Sequence, residues 1–362
     1  MRRWKGAVVL GGLMAVAMPL RVAVALRSER PAARLQVLGA RIDAHDGPGL
    51  APGAPFDGEW WLVIHSFSIA ASANLAFRHP EDAPARRVEI ARWLELMLKP
   101  DVRAFDTTKW NEDALESLDG SKGHVGVLGH VAWALGASCL VGNAPHPLVG
   151  PIADGLSSRF AASPLLETYP GEIYVPDNLV AIAGLSLLRR CQGAPEDPEV
   201  RRFVERLERD HLDAETGLFV FAPGQPARGS GAAWTAYFLS FVDDGRAREQ
   251  FERLFGVFGA ELPFGALAVR EWPAGVDRGG DVDSGPLVFG LSPSATGFAM
   301  AGPALTNDVE RLSALRVTAE TVGVTVNDRF LLSPLVGDAI VLATSTATPW
   351  TDAFVSSPSA RQ

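Results

Sequence analysis

The sequence of 362 residues lacks the patterns that identify the commonest nucleotide and metal sites. It has no glycine-rich loop of the Walker or dinucleotide-binding type, and no cysteine or histidine spacing typical of a zinc site. Basic patches are missing as well, and the formal net charge is −9, which argues against a nucleic-acid surface. The sequence therefore predicts no nucleic-acid partner, no bound metal and no other cofactor.

Cysteine is also scarce, with only Cys139 and Cys191 in the chain. Both lie near the ends of predicted helices, in separate helical hairpins, and nothing in their spacing requires them to pair. We therefore predict two free thiols, with a disulfide as the alternative.

The N-terminus combines a short basic segment with an apolar run. Arg2, Arg3 and Lys5 precede the run at 6–20, and small residues at 23–25 offer a cleavage site. This pattern is typical of an export signal, and the run is short for a bilayer span. We expect residues 1–25 to be a signal peptide or, if uncleaved, a membrane anchor, and the protein to be exported to the periplasm or another extracytoplasmic space.

After a lead-in at 26–58, rich in proline and glycine towards its end, the chain divides into helical segments of two kinds. Some are apolar on nearly all sides, whereas others are amphipathic with a charged face, as expected for an interior and its cover. Hairpins of these segments recur roughly every 50 to 60 residues, in the range of repeat architectures. We predict an all-α fold, an (α/α)6 barrel with minor short β segments, in one domain at 59–350 followed by a tail at 351–362.

The predicted helices lie at 59–78, 83–98, 121–141, 146–161, 176–192, 196–211, 229–242, 244–259, 285–304, 306–320 and 326–345. The best strand candidate is 216–222. In such a barrel the inner helices converge at one end, and the long polar loops that precede them would line a cavity there.

One of these loops, the segment "YPGEIYVPDN", precedes an apolar helix. Tyr169, Glu172, Tyr174 and Asp177 fall within nine residues, and Asn178 follows. The alternative is that Asp177 and Asn178 merely cap the helix, because both are good N-cap residues. One cap needs only one oxygen, so we predict Tyr174 and Asp177 as catalytic residues. The predicted substrate-binding residues of this segment are Tyr169, Glu172 and Asn178.

A second loop, "REWPAGVDRGGDVDSGP", places Glu271, Asp281 and Asp283 among glycines. Carboxylates crowded in a cleft raise one another's pKa values and supply an acid–base pair. We predict Asp283 as catalytic, and Glu271 and Asp281 as substrate-binding. The alternative is a solvated acidic loop in which Asp283 or Ser284 caps the next helix.

His124 opens an apolar helix at the same predicted end, where an imidazole would serve as a general acid or base near neutral pH. We predict it as catalytic, with a structural role as the alternative, and we expect His130 to pack in the interior. Trp234 is a candidate for the wall of the substrate pocket. Weaker candidates are Arg228, Trp60, Trp61, Glu59 and His65.

Several short motifs, in this order and approximate spacing from about residue 59 to 320, resemble the linalool dehydratase-isomerase family. The motifs are Lys122-Gly123-His124, Pro176-Asp177-Asn178, the stretch "RDHLDAETGLFVF…WTAYFLSFVDDGRAREQFERLF", and the loop with Arg270, Glu271, Asp281, Asp283 and Gly285. The resemblance implies an (α/α)6 barrel, export, and a cofactor-free acid/base site that dehydrates or isomerises a tertiary allylic alcohol. It also implies a role for His124. The family's two site cysteines fall on Tyr174 and Ala183 here, and a glutamate of that site falls on Val175.

Three functions follow from these observations. The first is a cofactor-independent lyase or isomerase that acts on a small, largely apolar alcohol in an apolar barrel pocket. The second is a carbohydrate-active enzyme, a glycosidase or polysaccharide lyase, with Asp177 and Asp283 as acid and base and tryptophans as stacking platforms. The third is an exported binding or scaffold barrel without catalysis. A small molecule is the expected partner, and the sequence leaves the oligomeric state open.

Overall fold

The computed structural model describes residues 30–45 and 57–350. The predicted signal segment at 1–25 and the tail at 351–362 lie outside the described residues, as do 26–29 and 46–56 of the predicted lead-in. The described part is mostly helical with few short strands, which confirms the all-α class.

The helices of the described residues are bounded as follows. They are α1 Pro31–Asp43, α2 Asp57–Arg78, α3 Ala83–Met97, α4 Pro100–Trp110, α5 Val125–Leu140, α6 Val149–Ala162, α7 Val175–Cys191, α8 Pro198–Asp210, α9 Gly229–Leu239, α10 Asp244–Phe258, α11 Pro293–Ala299, α12 Ala301–Thr306, α13 Val309–Gly323 and α14 Leu335–Ser345. Short 3-10 turns lie at Pro80–Asp82 and Pro263–Gly265. Two antiparallel hairpins pair β1 Gly259–Leu262 with β2 Ala266–Val269, and β3 Thr325–Val326 with β4 Arg329–Phe330.

Most predicted helices are present, with four differences. Helices α1 and α4 were not predicted; α4 is weakly patterned, with charged and hydroxyl side chains among few apolar ones. The predicted helix 285–304 begins only at Pro293, where Ser292 caps it, and the predicted helix 326–345 begins only at Leu335. The β1–β2 hairpin was also missed, and within the predicted strand 216–222 only an isolated bridge from Leu212 to Phe219 forms.

The apolar helices contact one another in a cyclic succession. Helix α2 packs against α5, α5 against α7, α7 against α9, α9 against α11, α11 against α14, and α14 again against α2. More polar helices pack on these, among them α3 on α2 and α5, α6 on α5 and α7, and α10 on α9. The unpredicted helix α1 packs against α2 and α14, so it belongs to the same folded body.

Glycines allow α5 and α7 to approach closely. A Cβ atom at Gly129 would lie 2.8 Å from the amide nitrogen of Ala181, and one at Gly184 would lie 2.6 Å from the Cβ of Ala132. A Cβ at Gly136 would approach Leu187 to 2.4 Å. Real Cβ atoms do not come this close to other atoms, so the glycines of these helices serve tight packing.

Aromatic side chains fill the space between the apolar helices. The ring of Phe67 on α2 packs against rings from α5, α9 and α11 at centroid separations of 5.1 to 6.1 Å; these belong to Trp133, Trp234, Tyr237, Phe238 and Phe298. All of these rings except that of Trp234 are buried. The core of the molecule is therefore rich in aromatic side chains.

The prediction of two free thiols is wrong, because Cys139 and Cys191 form a disulfide. Cys139 lies near the end of α5, and Cys191 is the last residue of α7. The close approach of the two helices brings together cysteines 52 residues apart in the chain. A cross-link that closes a loop of this length is expected to stabilise a domain by about 4 kcal/mol in the chain-entropy view.

One described helix, Gly58–Arg78, is long and apolar enough to cross a membrane by length and composition alone. Of its most apolar window 83% is buried inside the protein, as in the core helix of a folded domain. Its apolar character is thus accounted for by packing.

Candidate active site

The loops that precede α5, α7, α9 and α11 are joined by backbone hydrogen bonds. The amide of Val125 donates to Glu167 O (3.4 Å), that of Val175 to Phe221 O (3.0 Å), and that of Gly229 to Glu271 O (2.9 Å). Each bond links the start of one helix to the loop that precedes the next. Most of the predicted site residues therefore meet at the N-terminal ends of these helices.

Glu59, near the start of α2, forms the first part of this site together with Tyr169. The Tyr169 hydroxyl donates to Glu59 Oε2 at 2.7 Å. Burial raises the pKa of Glu59 to about 7, although the Tyr169 hydroxyl lowers it, and the charges of Asp177 and Asp283 raise it further. The charges of Asp177 and Asp283 therefore act on Glu59.

Asp177 lies two residues after the start of α7 and is half-buried. The Thr168 hydroxyl donates to its Oδ2 at 2.7 Å. Burial raises the pKa of Asp177 to about 7, opposed by the Thr168 hydroxyl and aided by the charge of Asp283. Within the described part of the chain, neither Oδ1 of Asp177 nor Oε1 of Glu59 has a hydrogen-bond partner.

Asp281 and Asp283 are held by the buried guanidinium of Arg228. Nη2 of Arg228 lies 2.9 Å from Asp283 Oδ2, Nη1 contacts Asp281, and Nη1 lies 3.5 Å from Glu271 Oε1. The guanidinium also lies 3.6 Å from the centre of the Phe221 ring, a cation–π contact. Arg228 therefore connects the loop before α11 to the start of α9.

Asp283 is partly accessible but closely surrounded by protein atoms. Its side chain keeps 47% of its area accessible, yet protein atoms surround it closely enough for burial to raise its pKa, an effect that Arg228 opposes. The pKa of Asp281 is lowered, because hydrogen bonds from the Ser284 amide and Arg228 outweigh the raising effect of burial. The two aspartates thus differ in their readiness to hold a proton.

Tyr174 and Glu172 lie at the rim of the site. The Tyr174 hydroxyl donates to Glu172 Oε2 at 2.8 Å, and the Tyr174 ring packs against Phe221 at 5.2 Å. Burial raises the pKa of Tyr174, as do the charges of Glu172, Asp283 and Asp177. Tyr174 therefore shares its surroundings with both predicted catalytic carboxylates.

His124 is fully buried between the carboxylates of Asp106 and Glu112. Its Nδ1 lies 2.6 Å from Asp106 Oδ2 and its Nε2 lies 3.3 Å from Glu112 Oε1, and no part of the side chain is exposed. The imidazole packs against Trp110 at 4.8 Å. Both ring nitrogens are therefore occupied by protein groups.

The Lys-Gly-His motif has a physical explanation in this arrangement. Lys122 donates to Trp110 O at 2.7 Å and pairs with Glu112 at 3.0 Å. A Cβ atom at Gly123 would lie 2.0 Å from Glu167 O, so only glycine fits there. The motif thus fixes the loop that inserts His124 between its carboxylates.

Asn178 and Glu271 are fully buried and hold loops in place. Asn178 Oδ1 accepts from the Leu166 amide at 2.8 Å, and its Nδ2 donates to Leu166 O and Tyr174 O. Glu271 accepts from the Ser230 amide and hydroxyl at 3.1 and 2.8 Å. Burial raises the pKa of Glu271, partly offset by Ser230. All of these bonds are internal to the protein.

The capping alternatives considered for Asp177 and Asp283 are not realised. The residue before α7 is Tyr174, and no side chain caps that helix. Helix α11 is capped by Ser292, eight residues beyond Ser284. The acidic side chains at both positions therefore have other partners.

Sequence reasoning missed Asp106, Glu112 and Thr168 and gave Glu59 little weight. Asp106 lies on α4, which was not predicted, and Glu59 lies more than 100 residues before its partner Tyr169. The acidic residues in "KWNEDALE", at 109–116 in the loop region before His124, were the local signal for Glu112. The remaining predicted residue, Trp234, is half-buried on α9, near the aromatic core.

Among residues 30–45 and 57–350, no group of three or more His, Cys, Asp or Glu side chains is arranged to hold a metal ion. Comparison with protein-family models finds no match, and no curated protein sequence is significantly similar to the chain.

Proposed function

We propose that the protein is a cofactor-independent acid/base lyase or isomerase that acts on a small, largely apolar alcohol. The observation that carries this proposal is the pair Glu59 and Asp177. Each is a half-buried carboxylate whose pKa is raised by burial to about 7, and each has one oxygen without a partner among the described residues. A carboxyl group of this kind is suited to give or take a proton near neutral pH.

The proposed fold is the (α/α)6 barrel, of the kind found in the linalool dehydratase-isomerase family. The cyclic succession of six apolar helices, with polar helices packed on them, supports this assignment. The meeting of four loops at the N-terminal ends of these helices supports it further.

In the proposed reaction, the protonated carboxyl of one of the pair donates to the substrate hydroxyl, which leaves as water. The ionised carboxylate of the other accepts a proton from carbon to form the alkene. Because the two groups influence each other, they titrate as a pair, and near pH 7 one proton shared between them is the reactive state. Burial keeps both pKa values high, and the charge of Asp283 raises them further.

We propose that His124 acts through its neighbours as a positioning residue. Its ring packs on Trp110, whose Nε1 donates to Thr168 O at 3.2 Å, and the Thr168 hydroxyl holds Asp177. This series of contacts links the Lys-Gly-His loop to the carboxylate without exposing the imidazole. Tyr174 at the rim is placed to contact substrate.

We also propose that the protein works outside the cytoplasm. The basic and apolar N-terminal segment at 1–25 resembles an export signal or anchor. The Cys139–Cys191 disulfide supports the same view, because structural disulfides persist mainly in oxidising compartments.

Turnover of a panel of allylic and terpene alcohols, followed by gas chromatography of the products after dialysis against a chelator, tests the proposal. We expect the wild type to convert at least one alcohol, with a pH profile that changes near pH 7. Asp177→Asn should lower the rate about 100-fold or more, since removal of a general acid or base has effects of this size.

Asp338→Asn provides the matched control. Asp338 is also a half-buried carboxylate, with a pKa raised by burial to about 6, but it lies on α14 and pairs with Arg41. Its replacement should leave the rate unchanged. Failure of the folded wild type to convert any alcohol of the panel would contradict the proposal.

One observation favours a carbohydrate-active enzyme as the second candidate. Trp60 and Trp61, next to Glu59, and Trp234 are all half-buried, and such rings stack on sugars. Release of reducing ends or unsaturated products from a polysaccharide panel would support this candidate against the first.

A further inference from the structure

A second histidine, His130, lies in the aromatic core. It is 3% exposed and its ring lies 5.9 to 6.3 Å from the rings of Phe67, Trp234 and Phe238. None of the bonds described for the site involves it. It is therefore a buried polar group that the proposed reaction does not yet use.

The hydrogen bonds of Ser66 fix the tautomer of this imidazole. The Ser66 hydroxyl donates to Val63 O at 3.0 Å, and its oxygen lies 2.9 Å from His130 Nδ1. Val63 O can only accept and the hydroxyl has one proton, so the arrangement that satisfies both contacts assigns Nδ1 as the donor to Ser66. Nε2 then carries a lone pair and no proton.

Nε2 of His130 has no hydrogen-bond partner among the residues that the structure describes. Burial lowers the pKa of His130 to about 3, so the ring stays neutral over the physiological range. An acceptor nitrogen without a donor in the protein is free to take a hydrogen bond from another molecule. A carboxylate ligand has no proton to offer, whereas a hydroxyl group does.

His130 lies in the N-terminal half of its helix, towards the end at which the carboxylates lie. His130 follows the start of α5 by five residues and Trp234 follows the start of α9 by five, so both Cα atoms lie roughly 8 Å below the helix starts. Side chains on a helix lean towards its N-terminus, which brings the imidazole closer to the level of Asp177. Trp234, half-buried, is the accessible member of the aromatic group around it.

We propose that His130 Nε2 accepts the hydrogen bond of the substrate hydroxyl, with the Trp234 ring against the apolar part of the substrate. This inference deepens the proposed function and rests on it, because it names the group that binds the alcohol. A hydroxyl bound in this way directs its oxygen lone pairs to other groups. A protonated Glu59 or Asp177 can then donate to that oxygen, which leaves as water.

Binding of linalool and of its methyl ether, measured by tryptophan fluorescence or calorimetry at pH 6, tests the inference. At this pH Glu59 and Asp177 are largely protonated and can donate to the oxygen of either probe. Only the alcohol can donate to Nε2. We expect the ratio of ether Kd to alcohol Kd to be about fivefold larger in the wild type than in His130→Phe, as one hydrogen bond implies.

Phenylalanine keeps the ring volume, so any steric penalty for the methyl group of the ether persists in the variant and cancels in the comparison. His65→Phe is the matched control, because His65 is also a buried histidine but lies on α2, where its Nδ1 bonds to Trp61 O at 2.6 Å. The control should keep the wild-type ratio. Equal ratios in wild type and His130→Phe, or no binding of linalool to the folded wild type, would overturn the inference.

Nitrogen NMR of the histidine-labelled wild type gives a second readout that needs no variant. We expect the proton of His130 on Nδ1 and a shift of the Nε2 resonance when linalool is added. A proton on Nε2 would refute the assignment. If linalool binds with the expected preference but is not converted, the inference holds and the proposed function fails.

Discussion

Two groups of carboxylates lie at the same end of the apolar helices, and they differ in their partners. Asp281, Asp283 and Glu271 surround the guanidinium of Arg228, whereas Glu59 and Asp177 are bound by hydroxyl groups. A nearby cation stabilises the charged form of a carboxylate, and a hydroxyl does so only weakly. The first group is therefore suited to hold loops together, and the second to exchange a proton.

Removal of the cation should have the largest effect. We expect Arg228→Met to lower the free energy of unfolding by about 3–5 kcal/mol, because Glu271 is fully buried and would lose its compensating charge. Thermal or urea unfolding measures the change. Arg248→Met, which breaks an exposed pair with Asp244, is the control and should change stability by less than about 0.5 kcal/mol. A loss as small as that of the control would show that Arg228 does not hold the loops.

The second expectation concerns Asp177→Asn and pH. The pKa of Asp177 is about 7 in the folded protein and about 4 in an unfolded chain, so folding favours its protonated form. This contribution to stability is present at low pH and is lost as the pH rises towards 7. The variant should match the wild type near pH 4 and exceed its unfolding free energy at pH 8 by up to about 4 kcal/mol, since about three pKa units correspond to about 1.4 kcal/mol each.

Asp113→Asn provides a control of opposite sign. Burial raises the pKa of Asp113, but the hydrogen bonds and charge of Arg103 outweigh it and leave the pKa lowered. That variant should be less stable than the wild type at pH 8. A difference between Asp177→Asn and the wild type that stays constant from pH 4 to 8 would contradict the assigned environment of Asp177.

The smallest expected effect is on the pKa of Asp177 and concerns the hydroxyl group that bonds to it. Thr168→Val removes the donor to Asp177 and keeps the side-chain shape, so the pKa of Asp177 should rise further, by up to about one unit. A carboxyl-carbon NMR titration measures it. Thr107→Val on α4, whose hydroxyl bonds to Arg103 O within its own helix, is the control and should leave this pKa unchanged. A fall in the pKa would mean that Thr168 does not stabilise the ionised form.

The sequence predicted the all-α class and the polar loop 169–178, because apolar periodicity and clustered polar side chains are local signals. Glu59 was underrated because its partner Tyr169 is far away in the chain, and no local pattern reports such a contact. Asp106 was missed because α4 has few apolar residues. The disulfide depends on the distance between two helix ends, which only the packing of α5 on α7 sets.

The burial of His124 could not be predicted from the sequence either. Its place before an apolar helix was correctly read, since α5 begins at Val125. The two carboxylates that occupy its nitrogens come from α4 and from the loop after it. Whether a histidine faces a ligand or the protein depends on such neighbours, which are not determined by its own segment.

The glycine contacts between α5 and α7 bear on how this protein would respond to mutation. Asp177 lies in the first turn of α7 and His124 precedes α5, so the spacing of the two helices also sets the spacing of these side chains. A single methyl group at Gly184 would force the helices apart. Gly184 lies seven positions beyond Asp177 and has no side chain that could contact a substrate. Selection for altered substrate preference would therefore recover changes at buried glycines as readily as changes at the carboxylates themselves.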